Sequence, residues 1–334
     1  MEKIVPNKLN EEQKFSLKTR VITALVLAAI LLPCVFLGGY FYYGAIAALS
    51  ILAAIELVKV SKMPKRPSRM LYVVTIIAVI ALINYVFIRN IVVTVMNGEE
   101  ITPFNLLYKH FGDIQISVML IMLFAGLYFF ISFINDQPTI IDACFFIAMT
   151  LVVALGFQSF LYLRYSPFAI FEAQGVDITT PVFKYAQSSF LLFYVVIGVF
   201  MNDMGAYFAG IFFGKHKINP RISPKKTWEG LVGGVIISAI CSISWALFLD
   251  LGGYPIHPSL CLNKWYWVIA ISLLMPLLGV IGDFVFSAIK RHFGVKDYSQ
   301  IFPGHGGVLD RVDSLLFAAA LVSGMIVFIS FIGA

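Results

Sequence analysis

The sequence predicts an all-α, polytopic membrane protein with about nine transmembrane helices. Of its 334 residues, 60% are hydrophobic and only 13% are charged, and mean hydropathy is +0.90; soluble domains run near 25% charged. Apolar runs of roughly 17–25 residues, the length that crosses hydrocarbon as helix, recur along the chain. Lys and Arg are unevenly divided among the connections between those runs, as the positive-inside rule requires.

Residues 1–20 are polar and mixed in charge, and they lead into the first apolar run, 21–37. A cleavable signal would have an unusually long, partly acidic leading region here and no A-x-A site, so the run is expected to be a retained helix. The residues before Cys34, Leu-Leu-Pro, also fit a lipoprotein cleavage site poorly. Further spans are expected at 41–58, 70–88, 117–134, 140–163, 189–213, 231–249, 265–286 and 314–332. The interval 90–116, with Asn97-Gly98-Glu99-Glu100 and Pro103, is expected to be a loop. So is 164–187, where Pro167, Gly175 and Pro181 punctuate the chain.

With the N-terminus cytoplasmic, the inner segments are 1–20, 59–69, 135–139, 214–230 and 287–313. These hold 19 of the 24 Lys and Arg residues. Arg89, Lys109, Arg164, Lys184 and Lys264 fall on the opposite side. A miscounted span would scramble that partition, so the C-terminus is expected outside.

Cys34, Cys144, Cys241 and Cys261 lie in or beside apolar runs without paired spacing, which speaks against a disulfide framework or a zinc site. The net charge of +6 is better read as topology and affinity for anionic membrane lipids than as nucleic-acid binding, since no soluble basic module is present. No inverted repeat of the transporter kind is visible. Residues 1–187 are read as a transmembrane scaffold of about five helices, and 188–334 as a catalytic transmembrane region of about four.

Three polar segments of the second half carry the chemistry. Asn202 and Asp203 lie inside an apolar run, where a carboxylate normally faces a cavity or a partner. Ser223-Pro-Lys-Lys-Thr-Trp-Glu-Gly230 places Ser223 or Thr227 to cap a helix start. Its Lys225 and Lys226 bring compact positive charge suited to a polyphosphate, and the spacing is not that of a Walker A loop. From Asp283 to Asp313 come four carboxylates (Asp283, Asp297, Asp310, Asp313) and four cations (Lys290, Arg291, Lys296, Arg311). Carboxylates are the hard oxygen ligands Mg²⁺ takes, with substrate phosphates completing its shell. Asp310 and Asp313 would share one face of a helix. Gly304, Gly306 and Gly307 around His305 suit positive φ or close backbone approach, and His305 is read as a loop-holding or hydrogen-bonding residue ahead of a catalytic base.

The stretch Ser287 to Asp313, SAIKRHFGVKDYSQIFPGHGGVLDRVD, resembles the diagnostic motif of the CDP-diacylglycerol synthases (phosphatidate cytidylyltransferases). Asn202-Asp203 through Lys226-Thr227 is similar to that family's upstream block. The resemblance covers about 188–334. It implies transfer of CMP from CTP to phosphatidic acid, giving CDP-diacylglycerol and pyrophosphate in phospholipid biosynthesis. Mg²⁺ would be required, with K⁺ as a second cation. By position it implies Asp283, Asp310 and Asp313 at the metal and one or other of Lys225 and Lys226 on nucleotide phosphate. Asp283, Asp310, Lys225 and Lys226 are thus the expected catalytic residues, and Lys290, Arg291 and Arg311 are expected beside the two lysines on phosphate by their charge. Asn202, Asp203, Ser223, Ser287, Lys296, Asp297, His305, Gly306 and Gly307 would support them. The site would face the cytoplasm, in the inner membrane of a bacterium or an endomembrane of a eukaryote, and a homodimer is compatible with this reading. A transporter or lipid-binding protein, a CTP-dependent polyprenol or phytol kinase, and a cytidylyltransferase for another lipid phosphate are the alternatives.

Overall fold

Backbone amides have no water to bond in hydrocarbon, so long apolar runs satisfy them internally as helix. In the computed structural model, which describes residues 11–61, 69–96, 114–134, 139–173, 188–304 and 306–332, helix dominates accordingly. The described helices are α1 (Glu11–Leu37), α2 (Gly39–Val60), α3 (Arg69–Met96), α4 (Ile114–Ile134), α5 (Ile140–Ala173), α6 (Phe190–Phe213), α7 (Trp228–Leu251), α8 (Trp265–His292) and α9 (Leu309–Phe331). Each falls on one of the expected runs. Among the described residues, seven helices are long and apolar enough to cross a membrane. Shorter apolar segments lie at Met70–Tyr85 in α3 and Met119–Ile134 in α4. The chain is therefore an all-helical polytopic membrane protein.

Several boundaries differ from expectation. Residues 90–96 belong to α3 rather than to a loop, and 97–113, with Pro103, lie outside the described residues. Residues 164–173 belong to α5, which continues through Pro167; a proline is tolerated in a membrane helix where neighbours re-satisfy the freed carbonyl. Gly175 and Pro181 lie outside the described residues. Arg164, expected in that loop, is instead a fully buried side chain of α5. Its Nε donates to the carbonyl of Val35 in the last turn of α1 at 2.9 Å, and it also bonds Ser188. A cation at the negative end of a helix is favourably placed. A two-stranded hairpin, β1 (Lys217–Asn219) and β2 (Ser223–Thr227), interrupts the helices where the sequence suggested only a polar loop.

Two groups of helices pack through α5. Helices α3 and α5 contact each other and both α2 and α4, α6 lies along α7 in the most extensive pairing, and α8 packs on α7 and α9. Helix α5 touches α2 and α3 on one side and α6 and α9 on the other. Buried hydroxyls find partners across helices: Tyr128 Oη lies 2.8 Å from Thr75 and 2.9 Å from Thr150, linking α3, α4 and α5. Large apolar side chains such as Phe133, Ile141 and Phe213 remain exposed on the bundle surface, as lipid as solvent allows.

The contacts sort the helix ends into two sets. Arg20 of α1 meets Gly304, Glu56 of α2 bonds Ser299, and Lys226 before α7 pairs with Asp283 in α8. At the other ends Arg164 meets Val35, Tyr165 Oη donates to Gly39 O at 2.7 Å, and Trp245 Nε1 donates to Phe190 O at 3.2 Å. The polar segments singled out above therefore gather at one end of the bundle.

Candidate active site

The hairpin is built by local hydrogen bonding. Asn219 Oδ1 accepts from the backbone N–H of Arg221 at 3.1 Å and Ile222 at 3.3 Å, a side-chain turn of the kind asparagine favours. Thr227, not Ser223, caps α7: its Oγ1 accepts from Gly230 N at 3.1 Å, while Ser223 opens β2 opposite Asn219. Glu229 ties the hairpin to the helix start, accepting from Lys215 N at 3.1 Å and His216 N at 3.2 Å, with His216 Nδ1 at 2.6 Å. Thr227→Ala is expected to lower stability by about 1 kcal/mol, measurable as a fall in the thermal unfolding midpoint.

This hairpin presents Lys225 and Lys226 to a cavity of about 200 Å³ lined also by Asn202, Asp203, Tyr207 and Val280. The lysines differ. Lys225 is exposed, whereas half-buried Lys226 forms an ion pair with Asp283 and lies 4.6 Å over the Phe284 ring. Asn202 is buried, and its Oδ1 has no hydrogen-bond partner among the described residues.

Helices α8 and α9 bring the acidic residues together. A Cβ on Gly282 would stand 2.6 Å from the Asp313 carbonyl, so only glycine permits the close crossing that sets Asp283 beside Asp313. Asp313, half-buried, accepts from Ser314 N at 2.8 Å and feels Asp283 and Asp310 as like charges. Ser287 Oγ donates to Asp283 at 3.3 Å.

Asp310 is differently engaged. Its Oδ1 lies 2.8 Å from Lys290 Nζ, and its Oδ2 accepts from Tyr298 N at 2.8 Å and Gly307 N at 3.0 Å. Lys290, expected to answer phosphate charge, points inward instead, because α8 turns it toward that carboxylate and the Tyr298 ring at 5.5 Å. Arg291 is spent locally on the Val295 carbonyl at 3.2 Å, closing the end of α8. Burial, reinforced by the charges of Asp310, Asp313 and Glu56, pushes the Tyr298 hydroxyl well above the ordinary phenol range, so it stays a donor, to Phe286 O at 3.2 Å. The loop reverses through paired bonds between Phe302 and Gly306, with Gly306 at φ +87°, a conformation glycine adopts without strain. Lys296, Asp297 and Arg311 are exposed near the loop, and His305 lies outside the described residues.

Among the described residues no three acidic, His or Cys side chains converge as a ready-made metal cage. The donor set nonetheless fits an ion that takes one or two carboxylates and fills its shell with water and phosphate. Asp283, which Lys226 and Ser287 engage, and Asp313, which accepts from Ser314, are neighbouring hard-oxygen donors; Asp310 is held by three protein donors.

Glu56 was missed. It is fully buried in α2 and reaches the same loop. As a solitary carboxylate within the run 41–58 it carries the mark of an expensive, purposeful charge in an apolar span, and that signal could have singled it out.

The sequence matches the cytidylyltransferase family over residues 18–329. It is 41% identical over 136 residues to a phosphatidate cytidylyltransferase of Staphylococcus haemolyticus (strain JCSC1435), covering 41% of this chain and 48% of that protein. It is 34% identical over 193 residues to the protein of the same name from Staphylococcus aureus (strain COL), covering 58% of this chain and 62% of the relative. The matches thus span about half to three-fifths of the length of these curated relatives. Because the family match runs through almost the whole chain and includes every segment that meets at the acidic and basic cluster, this protein belongs to the cytidylyltransferase family.

Proposed function

We propose that this protein is a CTP:phosphatidate cytidylyltransferase, a nucleotidyltransferase that transfers CMP from CTP to phosphatidic acid and releases pyrophosphate. The observation that carries the reading is the meeting of Lys226, Asp283 and Asp313, from three separate segments, beside a cavity that also holds Asn202, Asp203 and Lys225. The names of the staphylococcal relatives agree with it.

The chemistry needs little from a base. A phosphate monoester has its second pKa at about 6, so it is already mostly dianionic at neutral pH. One of its oxygens forms the bond to the α-phosphorus of CTP, and the bond from that phosphorus to the bridging oxygen of the β-phosphate breaks, with the electron pair leaving on pyrophosphate. The difficulty is bringing anions together and stabilising the leaving group. Lys225 and Lys226 supply ammonium donors for phosphate oxygens, and exposed Arg311 can fork onto two of them. Asp283 and Asp313 would hold Mg²⁺, with K⁺ as a second cation, and bound metal would neutralise phosphate charge. Lys290 and Asp310 act as a pair that fixes the loop.

The chain crosses the membrane nine times in this proposal, with the N-terminus and the site cytoplasmic and the C-terminus outside. The sorting of helix ends into two sets supports this, since nine alternating crossings put Arg20, Glu56, Lys226, Asp283 and the 298–308 loop on one side. CTP would arrive from the cytoplasm, and the diacyl substrate would enter from the lipid beside exposed Tyr207 and half-buried Leu231. A homodimer is compatible with this arrangement.

Purified protein in nanodiscs, given CTP labelled at the α-phosphorus, phosphatidic acid and Mg²⁺, is expected to place the label in lipid and release pyrophosphate. Label remaining in free nucleotide while lipid gains the γ-phosphate would identify a kinase. Movement of lipid without covalent change would identify a transporter. Either result sinks the proposal.

A further inference from the structure

We propose that Glu56, in the N-terminal half of the chain, is a positioning residue for this site; the inference rests on the function proposed above. Glu56 lies near the end of α2 and is fully buried. Its Oε1 accepts from Ser299 Oγ at 2.6 Å and from Val308 N at 2.9 Å, and its Oε2 accepts from Leu309 N at 2.9 Å. Two of the three partners are backbone N–H groups, which can only donate, and the Ser299 hydroxyl can donate as well, so acceptor oxygens are what this place requires. An amide at this place would turn an N–H toward one of those donors.

Leu309 is the first residue of α9 and Val308 precedes it. Amides at a helix start lack intrahelical acceptors and attract negative charge. The helix has no cap from its own Val308 side chain, and Glu56 fills that role from 252 residues away. Residue 307 must be glycine for the approach to exist, since a Cβ there would stand 2.5 Å from Glu56 Oε1. On the other side of the same turn Asp310 gathers Gly307 N, Tyr298 N and Lys290. Glu56 and Asp310 together therefore clamp the loop and the first turn of α9.

Asp313 sits one helical turn beyond that clamp, so the start of α9 sets where Asp313 stands relative to Asp283. Both Glu56 oxygens already accept hydrogen bonds, which makes the residue a support for the site and not a ligand within it. Misplacement of reacting groups by about 1 Å can lower a rate roughly 100-fold. The split expected of such a residue is a loss in turnover with substrate affinity retained.

The test uses full-length protein in nanodiscs. Glu56→Gln is expected to lower kcat by about 100-fold with KM for phosphatidic acid changed by less than about threefold. Hydrogen exchange should accelerate in residues 299–309 while the other helices keep wild-type protection. Glu56→Asp, which keeps the charge, should recover at least about tenfold of the loss, and Ser299→Ala, which removes one of three donors, should lower kcat by only about threefold. Unchanged kcat and exchange in Glu56→Gln would overturn the proposal. So would loss of protection throughout the protein, or equal loss in Glu56→Asp and Glu56→Gln. The exchange measurement needs no turnover, so a wild-type protein that fails to transfer CMP would refute the proposed reaction, while the loop's response would still decide the role of Glu56.

Discussion

Asp313→Asn is expected to lower CMP transfer by about 10³-fold while leaving the unfolding midpoint unchanged or higher. The two halves of that result have one cause. Asp313 lies half-buried beside Asp283 and within the field of Asp310, and like charges held together in a poorly solvated place oppose folding. Asparagine keeps the shape and an acceptor for Ser314 N, and it removes one of the repelling charges. The same charge is what a divalent ion and two approaching phosphates would require, so its loss falls on the reaction. Label transfer from CTP to lipid, measured alongside thermal unfolding of the same preparation, checks both halves. A variant that is unstable, or one with near-normal transfer, would contradict the role given to Asp313.

Breaking the Lys290–Asp310 pair is expected to behave in the opposite way. Lys290→Met should destabilise the protein by about 3 kcal/mol, because it leaves a carboxylate in a buried position without its cation. The side chains of Lys290 and Asp310 are 10% and 3% exposed, so solvent screens little of this. Asp310→Asn should also be destabilising, since Asp310 organises Tyr298 N and Gly307 N as well as Lys290. The two changes share one interaction, so the double variant should lose less stability than the two single losses added, by about 1–3 kcal/mol. Denaturant unfolding in detergent reads these differences. Strict additivity would mean that the 2.8 Å contact contributes no coupling of its own.

Helix positions were legible in the sequence because lipid demands length and apolarity, and both can be counted. Thus α6, expected at 189–213, is found at Phe190–Phe213. The ends were less legible. Pro167 looked like punctuation, yet α5 passes through it, because a helix in lipid loses more by unwinding than by bending around one absent donor. The hairpin at 217–227 was invisible because it is too short and too charged to show alternation of apolar residues. At the site, the sequence shows which residue types are present, and the contacts each one makes depend on how the helices cross. Spacing put Asp310 and Asp313 on one helical face, and α9 does begin at Leu309. Spacing cannot say that Lys290 turns inward to neutralise Asp310, since that depends on how α8 crosses α9. Glu56 escaped because its partners lie 243 to 253 residues away.

That separation also bears on how the protein is made. Leu309 follows Glu56 by 253 residues, so at roughly 5–20 residues per second synthesis takes about 13 to 50 s to deliver the amide that will receive this carboxylate. During that interval α2 is in or at the bilayer with an acidic side chain whose donors do not yet exist. The start of α9 is what completes the bonding of Glu56 in α2. A nascent chain stopped before Ser299 therefore carries in α2 an acid that lacks all three of the donors it has in the finished fold.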